Sequence, residues 1–172
     1  NIFQKLFLNV DALFQELLRI CSGKKFERGE DLEEMQDRIL KYDHFCRRIL
    51  LKKRFEPKAS LHLAFLMMVV HGQRELYYFM KSSGKNPKCS LETQKLVEDA
   101  HSMYLQVEQA YLKKDASFLA DINKLGRNII YKQGYSILER KQGKELILIY
   151  HLLAAVRDFY QAISPLSGLL LA

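Results

Sequence analysis

The segment LHLAFLMMVVHGQRELYYFMKS, from Leu61 to Ser82, returns 83 residues later as KELILIYHLLAAVRDFYQAISP, from Lys144 to Pro165. In both copies an apolar run enters Arg-acid-bulky-Tyr, so that Arg74, Glu75, Leu76 and Tyr77 answer to Arg157, Asp158, Phe159 and Tyr160. A repeat of that length organises a whole domain. Further landmarks recur at a spacing of 85: Phe26 with Tyr111, Glu30 with Asp115, Leu40 with Leu125, and Asp43 with Asn128. The two-residue difference falls in the loop after the second helix of each unit, where an insertion costs little. The expectation is a single domain over residues 1–172 with internal repeats at about 1–85 and 86–172.

Apolar spacing predicts helices throughout. Phe3, Leu6, Phe7, Val10, Leu13, Phe14, Leu17, Leu18 and Cys21 form one stripe of a first helix. Asp31 and Glu34 make a capping box for a second, which is expected to bury Leu32, Met35, Ile39, Tyr42, Phe45 and Ile49 and to end before Pro57. Ser60 is expected to cap a third helix running to about Ser82, and Ser90 to start the second set. Val97, Ala100, Met103, Tyr104, Val107, Ala110 and Tyr111 stripe the fourth helix, and Asp115 is the expected N-cap of a fifth. Phe118, Ile122, Leu125, Ile129 and Ile137 face inward on that fifth helix. Its Gly126 and Gly134 cost about 1 kcal/mol each against alanine, so packing must hold it. The last helix is expected from about Lys144 to Ser164. The fold class is all-α: a six-helix bundle of two tandem three-helix repeats.

Composition agrees, with 48% hydrophobic residues and only 3 Pro and 8 Gly in 172 residues. The apolar runs near Leu63–Val70 and Leu146–Val156 fall short of the roughly 20 residues a membrane-spanning helix needs. Cys21, Cys46 and Cys89 show no CxxC spacing and cannot all pair within one chain, so neither a disulfide framework nor a zinc knuckle is expected. A reducing compartment is the simpler reading.

No constellation for catalysis emerges. A di-iron bundle requires Glu-x-x-His twice, and the chain offers it once, at Glu98 and His101. His44, His62, His71, His101 and His151 fit no HxxH or HExxH spacing, and no phosphate-cradling glycine cluster or GxSxG is present. The expectation is a protein that is not an enzyme and takes no cofactor.

The net charge of +7 is concentrated. Arg47, Arg48, Lys52, Lys53, Arg54 and Lys58 gather at the end of the second helix, and Arg140, Lys141 and Lys144 occupy the matching turn of the second unit. Cations at helix C-termini are favoured by the dipole, so solvated cap charge is one reading and an anionic partner the other. Neither helix-turn-helix spacing nor aromatics interleaved with the basic residues points to nucleic acid. A cytoplasmic membrane surface fits at least as well. In an up-and-down bundle the two basic turns are expected at opposite ends.

Two tandem three-helix units, a polar landmark midway along the second helix (Asp43, Asn128) and an Arg-acid signature late in the third resemble the PhoU family of phosphate-uptake regulators. The resemblance covers essentially the whole chain and rests on architecture rather than a crisp motif. It implies third helices carrying Glu-Arg-x-x-Asp, whose carboxylates bind clustered metal ions. Here the arginines match as Arg74 and Arg157, but the preceding acid is Gln73 or Val156. The trailing acid is replaced by Tyr77 or Tyr78 in one unit and by Tyr160 or Gln161 in the other. Glu33, Asp37, Asp43, Glu75 and Asp158 would be the candidate metal ligands, and the expectation is a degenerate or absent site. Arg74–Glu75 and Arg157–Asp158 read as partners across the interface between units.

The resemblance further implies regulation of phosphate transport, through a transporter, its membrane domain or a signalling partner. The fused, cytosolic form found in sodium/phosphate cotransporters fits a chain beginning at Asn1, with the inner-leaflet surface and a second copy of the chain as further expected partners. A helical interaction or ligand-binding module unrelated to phosphate is the alternative, followed by a metal-binding bundle.

Overall fold

A computed structural model of the chain describes residues 2–24, 32–84 and 89–171. These residues are all-helical, with no strand among them. Helices α1 (Ile2–Cys21), α2 (Leu32–Lys52), α3 (Ala59–Ser83) and α4 (Leu91–Lys113) are the first four rods. The fifth is composite: α5 (Phe118–Arg127) passes through a π-helical stretch, Asn128–Gly134, into the short α6 (Tyr135–Leu138). The sixth comprises α7 (Gly143–Gln161) and α8 (Ile163–Leu171).

The most extensive helix interface joins α3 to α7. Gly72 meets Phe159 while Glu75 and Tyr78 meet His151, so residue number rises along one helix as it falls along the other and the pair is antiparallel. Gly72 sets their separation: a Cβ there would lie 2.4 Å from the Phe159 ring. Phe159 in turn packs on Phe14 and Tyr104, with ring centroids 6.0 and 5.1 Å away. Tyr104 is wholly buried and satisfies its hydroxyl by donating to the Phe7 carbonyl at 2.9 Å. The core therefore runs from α1 through α4 to the α3/α7 pair.

The predicted stripes of the first, fourth and fifth helices face inward. From Leu6 to Cys21 in α1 every striped residue except the half-buried Leu18 is buried, and in α4 the buried set runs from Val97 to Ala110. Both glycines of the fifth rod face α7, Gly126 against Tyr160 and Gly134 against Leu153, where a Cβ would come within 2.6 Å of a side-chain atom. Close helix approach thus offsets their poor propensity.

Other expectations need correction. In α2 the inward residues are Met35, Ile39, Asp43, Cys46 and Leu50, while Phe45 and Ile49 are 45% and 37% exposed. The inner stripe continues through Cys46 and Leu50, which leaves Phe45 and Ile49 on its outer flank, and Asp43, which falls on the stripe, is paired with Arg47. Ser60 does not cap α3; the helix starts at Ala59 behind a left-handed Lys58, which offers no side-chain cap. Asp115 accepts from the Ser117 amide at 2.9 Å in the turn before α5, whose N-cap is Ser117. The last rod bends at Ala162 and continues beyond Ser164 to Leu171. Taken whole, Gly143–Leu171 is 29 residues long with a mean hydropathy of 1.3 over its most apolar window, long and apolar enough to cross a membrane by length and composition. Here Leu148, Ile149, Leu152 and Val156 from that run are buried in the core. Ser90 caps α4 as expected, accepting from the Thr93 amide. The Asp31 half of the capping box and the landmarks Phe26 and Glu30 lie outside the described residues.

Candidate functional site

The repeated signature lies along the α3/α7 seam. Arg74 and Arg157 are exposed, and no ion pair joins either to Glu75 or Asp158. Glu75 instead bridges the seam to His151, whose Nδ1 lies 2.8 Å from its carboxylate, and Tyr78 stacks on the same imidazole. Asp158 is half-buried on the other side; burial raises its carboxyl above the usual range, His71 offsets part of that, and Glu75 adds to it. Tyr77 and Tyr160 each tether a third helix to a second. The Tyr77 hydroxyl meets the Glu33 carboxylate at 2.7 Å and accepts from Lys81 at 3.0 Å, and Tyr160 donates to Asn123 at 2.8 Å. Those contacts hold Glu33 below the usual carboxylate range.

Five carboxylates are candidate metal ligands, and they are dispersed. Glu33 is engaged by Tyr77 and Lys81, Asp37 lies in an open groove on α2 with Lys41, His44 and Arg48, and Asp43 is held by Arg47 at 2.8 Å. Glu75 bears on the charge of Asp158, and Glu33 and Asp37 lie one turn apart on α2, but the two pairs are on different helices. Among the described residues no three His, Cys, Asp or Glu side chains converge as a metal site requires, so the donor set does not fit a clustered cation.

The two basic clusters sit at opposite ends of the bundle and are differently engaged. At one end Arg47 binds Asp43, Lys53 reaches Glu56 at 3.3 Å, Arg54 lies over the exposed Phe55 ring, and Lys58 donates to the Leu169 carbonyl at 3.0 Å. Arg48 and Lys52 are exposed. At the other end Arg140 and Lys141 bind Glu92 at 2.9 and 3.5 Å, and Lys141 also reaches Glu145 and the Ser90 hydroxyl; Lys144 is exposed. Burial alone would push the Glu145 carboxyl up, but bonds from Ser90 and Thr93, together with Lys141, bring it down to about 2.

Sequence reasoning missed a cavity at the first of these ends. It has a volume of about 440 Å³ and is walled by Phe3, Tyr111, Leu112, Leu169 and Leu170, with Lys58, His62 and Lys114 among its lining. Tyr111 stacks on Phe65 at 4.4 Å, and its hydroxyl lies 3.0 Å from His62 Nδ1. Burial, with Lys114 and Lys58 nearby, lowers His62 below the ordinary imidazole range. Among the described residues Lys58 and Lys114 are the non-glycine residues with positive φ, at 68° and 55°, and both line the opening. The arrangement suits an anion with an apolar portion: cations and a donor at the mouth, aromatic and leucine walls within.

No family model matches the chain, and no curated protein or solved structure matches it either.

Proposed function

We propose that the chain is a non-enzymatic regulatory domain of the PhoU-like type, built of two tandem three-helix units. It adjusts phosphate transport through contacts between its helix surfaces and a transporter's membrane domain or a signalling partner at the inner face of the membrane. The observation that carries the tandem reading is the equivalence of the signature tyrosines. Tyr77 binds α3 to α2 through Glu33 and Tyr160 binds α7 to α5 through Asn123, so each signature tyrosine joins the third helix of its unit to the second, through acceptors at non-equivalent positions. Arg74 and Arg157, exposed beside the seam between the halves, are the cations offered to a partner. The link to phosphate comes from the resemblance of the repeat. Phosphate uptake in cells producing the chain should differ from uptake in cells carrying an Arg74→Glu, Arg157→Glu form that folds normally. Uptake indifferent to the intact protein would sink this reading. Stoichiometric iron, zinc or manganese in the purified protein would overturn its non-metal part.

The cavity favours a second reading, a ligand-binding module unrelated to phosphate. On that reading dodecanoate raises the melting temperature and inorganic phosphate does not, and Lys114→Glu abolishes the shift. A melting temperature that neither compound moves removes this alternative.

A further inference from the structure

Cys21 and Cys89 are separated by 68 positions and by the whole of α2 and α3, yet the fold brings their sulfurs to 2.9 Å. That is closer than two unbonded sulfur atoms ordinarily pack, and a disulfide bond is about 2.05 Å long, so closure takes a movement of less than about 1 Å. Both sulfurs sit on anchored backbone. Cys21 is the last residue of α1 and 2% exposed; Cys89 immediately precedes the Ser90 cap of α4 and is half-buried, open to a small reagent. The third cysteine is apart from them: Cys46 is buried on α2 among Leu6, Ile39 and Leu66, where burial and Asp43 push its thiol up to about 11.

We propose that Cys21 and Cys89 are a reversible disulfide-forming pair, oxidised by a small-molecule disulfide such as oxidised glutathione, which staples the end of α1 to the start of α4. Cys89 is the attacking thiol, because it is the more exposed of the two and its contact with Cys21 lowers it against the opposing effects of burial and Glu145. The contact with Cys89 and burial hold Cys21 protonated until Cys89 is capped. In the first step the Cys89 thiolate bonds to one sulfur of oxidised glutathione, whose disulfide breaks, and the released glutathione thiolate takes up the proton Cys89 gave up. In the second, Cys21 loses its proton, attacks the Cys89 sulfur and expels the second glutathione, which carries that proton away. Two protein thiols are oxidised and one small disulfide is reduced to two thiols. The bond would close a loop around α2 and α3 and tie α1 to the end where Ser90, Thr93, Glu145 and Lys141 already join α4 to α7.

The purified chain, equilibrated with graded ratios of oxidised to reduced glutathione, alkylated and peptide-mapped by mass spectrometry, tests this directly. The expected product is a monomer about 2 Da lighter with Cys21 linked to Cys89. Cys46 is alkylated only after unfolding, and dithiothreitol restores all three thiols. The linked protein should melt on the order of 10 °C higher than the reduced one. Cys21→Ser should trap glutathione on Cys89, whereas Cys89→Ser should leave the buried Cys21 unmodified in the folded protein. A Cys46→Ala form, should it fold, is expected to behave as the parent does. Glutathione retained on Cys89 of the parent, dimers joined through Cys89, or three free thiols at the most oxidising ratio would each overturn the pairing. A linked protein that melts no higher would overturn the staple.

Discussion

At one end of the bundle Lys58, His62 and Lys114 ring an opening walled by Phe3, Tyr111 and the leucines of α8; at the other, Arg140 and Lys141 close on Glu92 and Glu145. Both ends carry cations engaged by acids, and the first also lines a cavity with lysines. At the closed end acids on α4 and α7 stand within ion-pair distance, so positive charge becomes structure. The open end has Asp43 for Arg47 and Glu56 for Lys53, but no acid among the described residues lines the cavity, and two of its lysines are held in left-handed backbone that disfavours a residue with a Cβ. Positive charge in a sequence is therefore no measure of charge available to a ligand; what matters is which acids the fold brings to the same end.

The comparison can be broken most forcefully at the waist that both ends share. Gly72→Val should cost about 3 kcal/mol in urea denaturation, because its branched side chain must displace Phe159 and part α3 from α7. Unchanged stability would mean that the seam is not set by close approach at Gly72. At the closed end, Glu145→Gln should cost about 1.5 kcal/mol by replacing the charged acceptor that holds the start of α4 with a neutral one and removing the ion pair with Lys141. Its carboxyl, depressed to about 2 from an unfolded value near 4.5, contributes stability that is present above about pH 4.5 and lost as pH falls towards 2. The difference in stability between parent and variant should shrink across that window, and a difference constant with pH would contradict the assignment.

At the open end the sign reverses. Lys114→Gly should stabilise the protein by about 0.5–1 kcal/mol, since glycine accepts the φ of 55° without the Cβ penalty. A loss of stability would show that the lysine side chain does more for the fold than its backbone costs. The smallest effect belongs to Glu92→Gln: an exposed ion pair contributes little, so the melting temperature should stay within about 1 °C of the parent. A clear drop would show that Arg140 and Lys141 depend on this acid to keep the end closed.

Much of this was legible in the residues. The spacing of apolar side chains in α1 and α4 reports their buried faces directly, and the one acid buried on each, Glu16 beside Arg19 in α1 and Glu108 in α4, does not displace the stripe. It misleads in α2, where Cys46 and Leu50 rather than Phe45 and Ile49 continue the stripe from Met35 and Ile39, and Asp43, on the same face, is held by Arg47. Of the five carboxylates weighed as metal ligands, Glu33, Asp43 and Glu75 are each engaged by a separate partner, Tyr77, Arg47 and His151. The cysteine pair left one readable trace: in alternating helices the end of the first and the start of the fourth lie at the same end of a bundle, which places Cys21 and Cys89 together. The cavity left none, since its lining comes from α1, α3, α4 and α8 and no pair of these residues forms a motif.

The sequence by itself determined the helices, the repeated Arg-acid-bulky-Tyr signature and the grouping of positive charge, because these depend on the identities and spacing of near neighbours along one rod. Only the tertiary structure decided which cations are neutralised, that two sulfurs 68 positions apart meet at 2.9 Å, and that His62 and Lys114 line one opening. Those outcomes depend on distances between rods. Such distances follow from side-chain packing such as Phe159 against Gly72, a contact between residues 87 apart that neither local segment specifies alone.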